Sequence, residues 1–252
     1  MKRKLKIEIG LAVLSLLIAL FGSFLAPYDP LKVNYDFSLQ PPSFLHIFGT
    51  DKLGRDVFSR ILCGAKTSFG LTFLMLFLIV FIGMIVGLIA GLSNDKVESF
   101  FNNIINGLLA FPDTIFAIAV VGIVGAGLFN TVFALALIWW TKYARLTLAL
   151  VKQEKKKNYL VMAQMSGVPT LQRIIRYLLP NILSQILVTA FLDIGNMMIS
   201  LAGLSFLGLA SQPPQPEWGA MLYESKQFMQ VAPWMMFFPG LVLFICVFIF
   251  NL

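Results

Sequence analysis

The hydrophobic positions of this chain fall into long continuous runs rather than into alternation. Six runs of roughly twenty residues or more stand out, at residues 8–26, 68–92, 101–124, 128–151, 181–207 and 233–252. A helix rises about 1.5 Å per residue, so runs of this length match a hydrocarbon core of about 30 Å. Lipid offers the backbone no hydrogen-bond partner, which leaves helices or closed barrels as spanning structures. Without period-two alternation, the runs predict six transmembrane helices. Pro112 breaks the third. The first run follows a basic start, as a signal peptide would. It is long, however, and Pro27 directly after Leu25 and Ala26 suits an uncleaved anchor better.

Composition agrees. Hydrophobic residues make up 58% of the 252 positions and charged residues 12%, against about half and a quarter in soluble domains. Disorder is excluded and a soluble enzyme disfavoured. Two cysteines, Cys63 and Cys246, cannot build a disulfide scaffold. The net charge of +7 raises nucleic acid as a partner, but no soluble segment is there to carry such a patch. The basic residues cluster instead. With the N-terminus inside, twelve Lys and Arg fall on inner segments (Lys2, Arg3, Lys4, Lys6, Lys96, Arg145, Lys152, Lys155, Lys156, Lys157, Arg173, Arg176) and six on outer ones (Lys32, Lys52, Arg55, Arg60, Lys66, Lys226). That excess predicts a cytoplasmic N-terminus in a multi-pass protein.

Three polar stretches are too long for plain connectors: 27–66 and 208–232 outside, 152–180 inside. In the inner loop, Tyr159 to Ser166 predicts a short helix with Tyr159, Met162, Ala163 and Ser166 on one face. Gly167 suits its C-terminal cap and Pro169 the first turn of a second helix. In that second helix Leu171, Ile174, Ile175 and Leu178 share a face, and Pro180 ends or kinks it. Chemistry alone leaves two readings: an amphipathic elbow on the inner leaflet, or a docking helix for a cytoplasmic partner.

The pattern Tyr159, Ala163, Gly167, then Ile174 and Leu179-Pro180-Asn181, resembles the EAA loop of ABC importer permeases. In that family the loop seats in a groove of the ATPase subunit. Gly167 matches the family glycine and Ala163 its second alanine. Val161 stands where an acidic residue is common, and Met162 where the first alanine stands.

The outer strings carry a second resemblance. Gly49-Thr50-Asp51, Leu53-Gly54-Arg55-Asp56, Ser59-Arg60, and later Ser205-Phe206-Leu207-Gly208-Leu209 with Pro213 to Leu222 through Glu217 and Trp218, look like one permease of the dipeptide, oligopeptide and nickel ABC importers. Together with the inner loop they cover residue 45 to the C-terminus. The resemblance implies an all-α integral membrane protein of six transmembrane helices. It also implies the type I ABC permease fold, with a cytoplasmic coupling-helix elbow. Residues 1–67 would form an anchor helix and external signature segment, and 68–252 the permease domain with coupling loop 152–180. It further implies four kinds of partner: a second homologous permease, two ATP-binding subunits, an extracytoplasmic substrate-binding protein, and membrane lipid. The family usually continues past the equivalent of Phe250-Asn251-Leu252 with a charged tail that this sequence lacks.

From the residues themselves, the glycines of the external signature need only backbone freedom. The spacing of Asp51, Arg55 and Asp56 favours internal pairing. Ionisable groups within spans are functional candidates by default. Asp113, Asn130, Asp193, Asn196 and Met197 are the candidates for a pathway wall, while Lys142 snorkels. His46, Cys63 and Cys246 are too scattered for a metal site, and the eleven Met residues serve packing. No phosphate-cradling glycine loop precedes a lysine, so ATP hydrolysis belongs to partner subunits and no cofactor is expected on this chain. The strings 122–130, 140–145 and 192–198 look more like nickel permeases than peptide ones. The expected passenger is therefore nickel or a metal chelate, with dipeptide or oligopeptide import the alternative. An intramembrane enzyme would need a nucleophile and base, or metal ligands, facing inward. A secondary transporter would show inverted repeats.

Overall fold

The chain is described from a computed structural model that covers residues 2–210 and 214–251, the first eight by backbone alone. Pro213 of the external string, Leu252 of the sixth run, and the side chains of Lys2, Arg3, Lys4 and Lys6 lie outside the described residues. Ten α-helices follow in order among the described residues: α1 Lys2–Leu25, α2 Val57–Leu92, α3 Asp95–Leu109, α4 Asp113–Val124, α5 Leu128–Lys155, α6 Asn158–Met165, α7 Thr170–Arg173, α8 Leu179–Phe206, α9 Trp218–Ser225 and α10 Trp234–Phe250. The only pairing of β type among them is an isolated bridge between Thr50 and Asp56. The fold is all-α, and it is a membrane fold by the length and apolar character of its helices.

The six expected spans do not map one for one onto these helices. Among the described residues, three stretches are long and apolar enough to cross a bilayer: α2, α5 and the continuous run Thr170–Phe206. The third expected span is split. Pro112 has no N–H to donate and disfavours helical backbone at Phe111, so α3 and α4 meet at 88°. The apolar part of α1, Gly10–Leu25, and α10 are shorter.

Two boundaries also move outward. The second helix begins at Val57 rather than 68; Arg60 in its first turn is neutralised by partners described below. The third begins at Asp95, where the Asn94 side chain accepts from the Val97 N–H at 3.1 Å as an N-cap.

The fifth expected span starts earlier still. Pro180 neither ends nor breaks the helix. Ile174–Leu178 form a π turn in which the Leu179 N–H reaches back to the Ile174 carbonyl. Widening the helix just before Pro180 relieves the clash that its ring would make with the preceding turn. The Asn181 side chain donates to the Tyr177 carbonyl at 2.6 Å. Helix therefore continues from Thr170 to Phe206.

The chain divides into two compact units: residues 1–74, 118–133 and 193–252 form one, and residues 75–117 and 134–192 the other. The first is built around Val57, Ile61 and Phe69 of α2, Met198 and Leu201 of α8, and Trp218 of α9, all buried. In the second, α2 meets α5 along Gly83, Gly87 and Gly91, spaced four apart. A Cβ on these glycines would lie 2.5 Å from the Tyr143 Cβ, 2.5 Å from the Thr147 Cβ and 2.7 Å from a Val151 methyl. Small residues at this period let two backbones approach closely, which is how helices associate where no hydrophobic drive exists.

Candidate functional site

The external signature folds as one charge-compensated element. Gly49 and Gly54 both take left-handed backbone, at φ 71°. The Gly54 N–H donates to the Asp51 carbonyl at 2.9 Å, and the Asp51 N–H to the Arg55 carbonyl at 3.0 Å. This tight loop lets the Asp51 carboxylate serve both backbone and side chain. One oxygen accepts from the Leu53 and Arg55 N–H groups at 2.8 and 3.0 Å; the other accepts from Arg55 Nε at 2.6 Å. The far end of Arg55 donates to Glu224 Oε2 at 2.8 Å, and Arg60 donates to the same oxygen at 3.2 Å. The side chains of Arg55 and Arg60 are 1% exposed, those of Asp51 and Glu224 4%. Two guanidiniums and two carboxylates are thus buried together with no net charge.

Other signature residues cap and tie. Asp56 accepts from the Ser59 N–H and hydroxyl at 2.8 and 2.7 Å at the start of α2, and pairs with His46 Nδ1 at 2.9 Å. Glu217 caps α9, accepting from the Gly219 and Ala220 N–H groups at 2.8 Å each. The Trp218 indole donates to the Ile61 carbonyl at 3.0 Å, and the Trp234 indole to the Thr50 carbonyl at 3.1 Å. Internal pairing was the expectation for Asp51, Arg55 and Asp56. Sequence reasoning missed Glu224 and His46 as members. Glu224 is 169 residues from Arg55, and no local spacing signals it.

At the inner loop, α6 buries Leu160 and Ala163. The Tyr159 hydroxyl donates to Glu154 of α5, and Lys157 Nζ lies 2.5 Å from the same carboxylate. Burial, followed by this carboxylate, pushes the Tyr159 phenol up to about 12. Gly167 closes α6 at φ 75°. Its N–H donates to the Gln164 carbonyl at 3.1 Å while the Val168 N–H reaches the Ala163 carbonyl at 3.1 Å, the paired bonds of a Schellman cap. Pro169 takes the N-cap of α7, one residue before the expected first turn. Ile174 is half-buried and opens the π turn; Pro180 is the second residue of α8. Of the face expected to hold Tyr159, Met162, Ala163 and Ser166, only Ala163 is buried and Tyr159 half-buried; Leu160 takes the inner position. Val161, Met162, Met165, Leu171 and Ile175 are exposed. The elbow therefore presents an outward apolar face beside a fixed inner one.

The polar candidates for a pathway divide between the units. Asp113 opens α4 in one unit. It is exposed and accepts from the Thr114 N–H at 2.7 Å and from the Trp139 indole at 3.1 Å. In the other unit Asn130 donates to the Gly125 carbonyl at 2.9 Å. There Asp193 and Met197 are buried and Asn196 is exposed. No cluster of three or more His, Cys, Asp or Glu able to hold a metal occurs among the described residues.

Residues 83–252 match the sequence family described as "Binding-protein-dependent transport system inner membrane component". The chain belongs to that family. The nickel transport system permease protein NikC of Escherichia coli (strain K12) is 35% identical over 248 residues, covering 98% of this chain and 90% of that protein. The di/tripeptide transport system permease protein DppC of Pseudomonas aeruginosa is 38% identical over 251 residues, covering 96% and 83%. The dipeptide transport system permease protein DppC of Alkalihalophilus pseudofirmus is 37% identical over 253 residues, covering 100% and 83%. As a member of this family the chain is an inner-membrane permease subunit of a binding-protein-dependent ABC importer.

Proposed function

We propose that this permease carries nickel, or a small metal chelate, delivered by an extracytoplasmic binding protein. It would act as one half of a pathway shared with a second, homologous permease, and two ATP-binding subunits would power the cycle. The N-terminus and the 152–180 elbow face the cytoplasm in this reading, as the Lys and Arg distribution supports. The observation that carries the nickel assignment is whole-length similarity to the nickel permease NikC, joined to the nickel-like strings at 122–130, 140–145 and 192–198. The dipeptide permeases are as similar overall, and peptide import is the second reading.

The mechanism follows from how the elbow is built. The exposed apolar face of α6, with Met162 and Met165, would seat in the ATPase groove, as the loop's resemblance implies. Because Tyr159 and Lys157 clamp α6 to Glu154, and the Gly167 cap fixes the turn, a push on α6 moves a rigid body. Helix is continuous from Thr170 to Phe206, so a push on the elbow enters the start of this long helix directly. The π turn at Ile174–Leu178 is the natural place for it to flex. Asp113, Asn130, Asp193 and Asn196 would line or support the pathway. The external cluster around Glu224, with Glu217 and Trp218 beside it, would hold a stiff rim for the binding protein.

Uptake of labelled nickel in cells with and without this subunit, with a dipeptide as competitor, tests the passenger. Loss of nickel uptake that the dipeptide does not compete is expected. Unchanged nickel uptake with lost peptide uptake moves the assignment to peptides. Gly167→Pro tests the elbow separately: it removes an N–H in use and forbids φ 75°. It should abolish uptake while insertion in the membrane persists, and normal uptake with normal ATPase co-purification would refute the coupling role.

A further inference from the structure

Between the end of α5, the elbow and the end of α2 lies a cavity of about 310 Å³. Its wall holds two cations, Lys155 and Arg173, two neutral polar groups, Gln164 and Thr170, and an apolar side of Leu92, Leu160, Ile174 and Leu178. No acidic residue lines it. Glu154, the nearest carboxylate in sequence, is already taken by Lys157 and Tyr159. The Arg173 Nη2 donates to the Thr170 hydroxyl at 3.0 Å, but its Nε is buried with no acceptor. Lys155 spends one N–H on the Gly91 carbonyl at 3.0 Å, leaving donors to spare. A buried guanidinium N–H without an acceptor is costly, and two cations facing one recess with no counter-charge call for an anion. An arginine fork beside a lysine and a hydroxyl is the donor set that suits phosphate oxygens. The apolar side suits a glycerol or acyl segment.

We propose that this recess is a phosphate-binding site, occupied by the headgroup of an anionic phospholipid of the inner leaflet. Such a ligand would bridge α6, α7 and the end of α2, and so brace the elbow while it is pushed. The leaflet assignment rests on the proposed sidedness of the elbow; the binding does not require transport.

The test is native mass spectrometry of the assembled transporter in detergent, supplied with phosphatidylglycerol or phosphatidylcholine. Wild type should retain phosphatidylglycerol preferentially. Joint Lys155→Gln and Arg173→Gln substitution should lower retention about tenfold, and Lys155→Arg with Arg173→Lys should preserve it. Arg176→Gln, an exposed position outside the cavity, should not change it. Displacement by excess inorganic phosphate, with no preference between the lipids, would keep the phosphate site and reassign its source to free phosphate. Equal retention by wild type and the double glutamine variant would overturn the proposal. So would loss of ATPase from that variant with lipid retention intact, which would mean the cations meet an acidic partner segment. Nickel or peptide uptake is not read in any arm, so a wrong passenger leaves this result standing.

Discussion

Glu224→Gln isolates the charge of the external cluster. The wild-type cluster is neutral, with Arg55 and Arg60 set against Asp51 and Glu224, and all four are nearly inaccessible. Glu224 Oε2 accepts from both arginines, whereas Oε1 is buried without a partner. The new amide nitrogen takes the Oε1 position without displacing a hydrogen bond, so shape and the bridging oxygen survive and only the charge goes. A unit-charge pair about 4 Å apart is worth ~4 kcal/mol at an effective dielectric of about 20, and two such pairs are lost. Relief of the desolvation of Glu224 returns several kcal/mol, leaving a net loss of about 3–5 kcal/mol, as for other buried pairs broken on one side. Equilibrium unfolding in mixed micelles measures it. Removing a cation as well, with Arg60→Met in the Glu224→Met background, restores neutrality and should recover about 2 kcal/mol relative to Glu224→Gln. If Glu224→Gln changes stability by less than about 1 kcal/mol, the cluster behaves as a solvated surface pair and the reasoning is wrong.

Gly54→Ala should abolish folding of the external segment, since the new Cβ would sit 1.7 Å from the Asn34 carbonyl oxygen at a φ of 71°; protease resistance of that segment in membranes is the readout. Gly87→Val should separate α2 from α5, because even a Cβ there lies 2.6 Å from the Ala144 carbonyl. An overpacking cost of about 1–3 kcal/mol or more is expected, seen as lower yield and earlier thermal unfolding. The Tyr159 phenol, pushed up to about 12 from 10.0, keeps its proton in the folded state while the unfolded chain loses it. Its contribution to stability is therefore complete below about pH 10 and disappears as pH rises through about 12. In alkaline titration, the phenolate absorbance of wild type minus Tyr159→Phe should rise only near pH 12, and a rise near pH 10 would remove the Glu154 contact from the account.

How much of this was legible in the residues depends on how local the deciding physics is. Long apolar runs must be helical in lipid, so the helical membrane class follows from the pattern alone. Gly167 could be placed because a left-handed cap is decided within one turn, and Asp51 with Arg55 because they are four apart. Pro112 marked a break, but its 88° angle depends on what α4 packs against, such as the Trp139 indole on Asp113. Pro180 was misread for the opposite reason. A proline alone predicts an interruption, yet the π turn before it gives the ring room, and no residue at 174–178 announces that turn. Long-range partners were invisible: nothing near Glu224 points to Arg55 or Arg60.

The glycines at 83, 87 and 91 form an intermediate case that shows where the boundary lies. Their four-residue spacing is plain in the sequence and implies a close helix contact. The partner is not implied. α5 answers with Tyr143, Thr147 and Val151, again spaced four apart, so each helix carries its own half of the register. The same holds for the elbow, where Leu160 and Ala163 face inward while Met162 and Met165 remain exposed. Periodicity specifies that a face exists; only packing decides whether this chain or another subunit covers it. The exposed face of α6 follows this logic: its inner side is already satisfied by this chain, so the apolar residues left outside are the ones the proposed ATPase contact would cover.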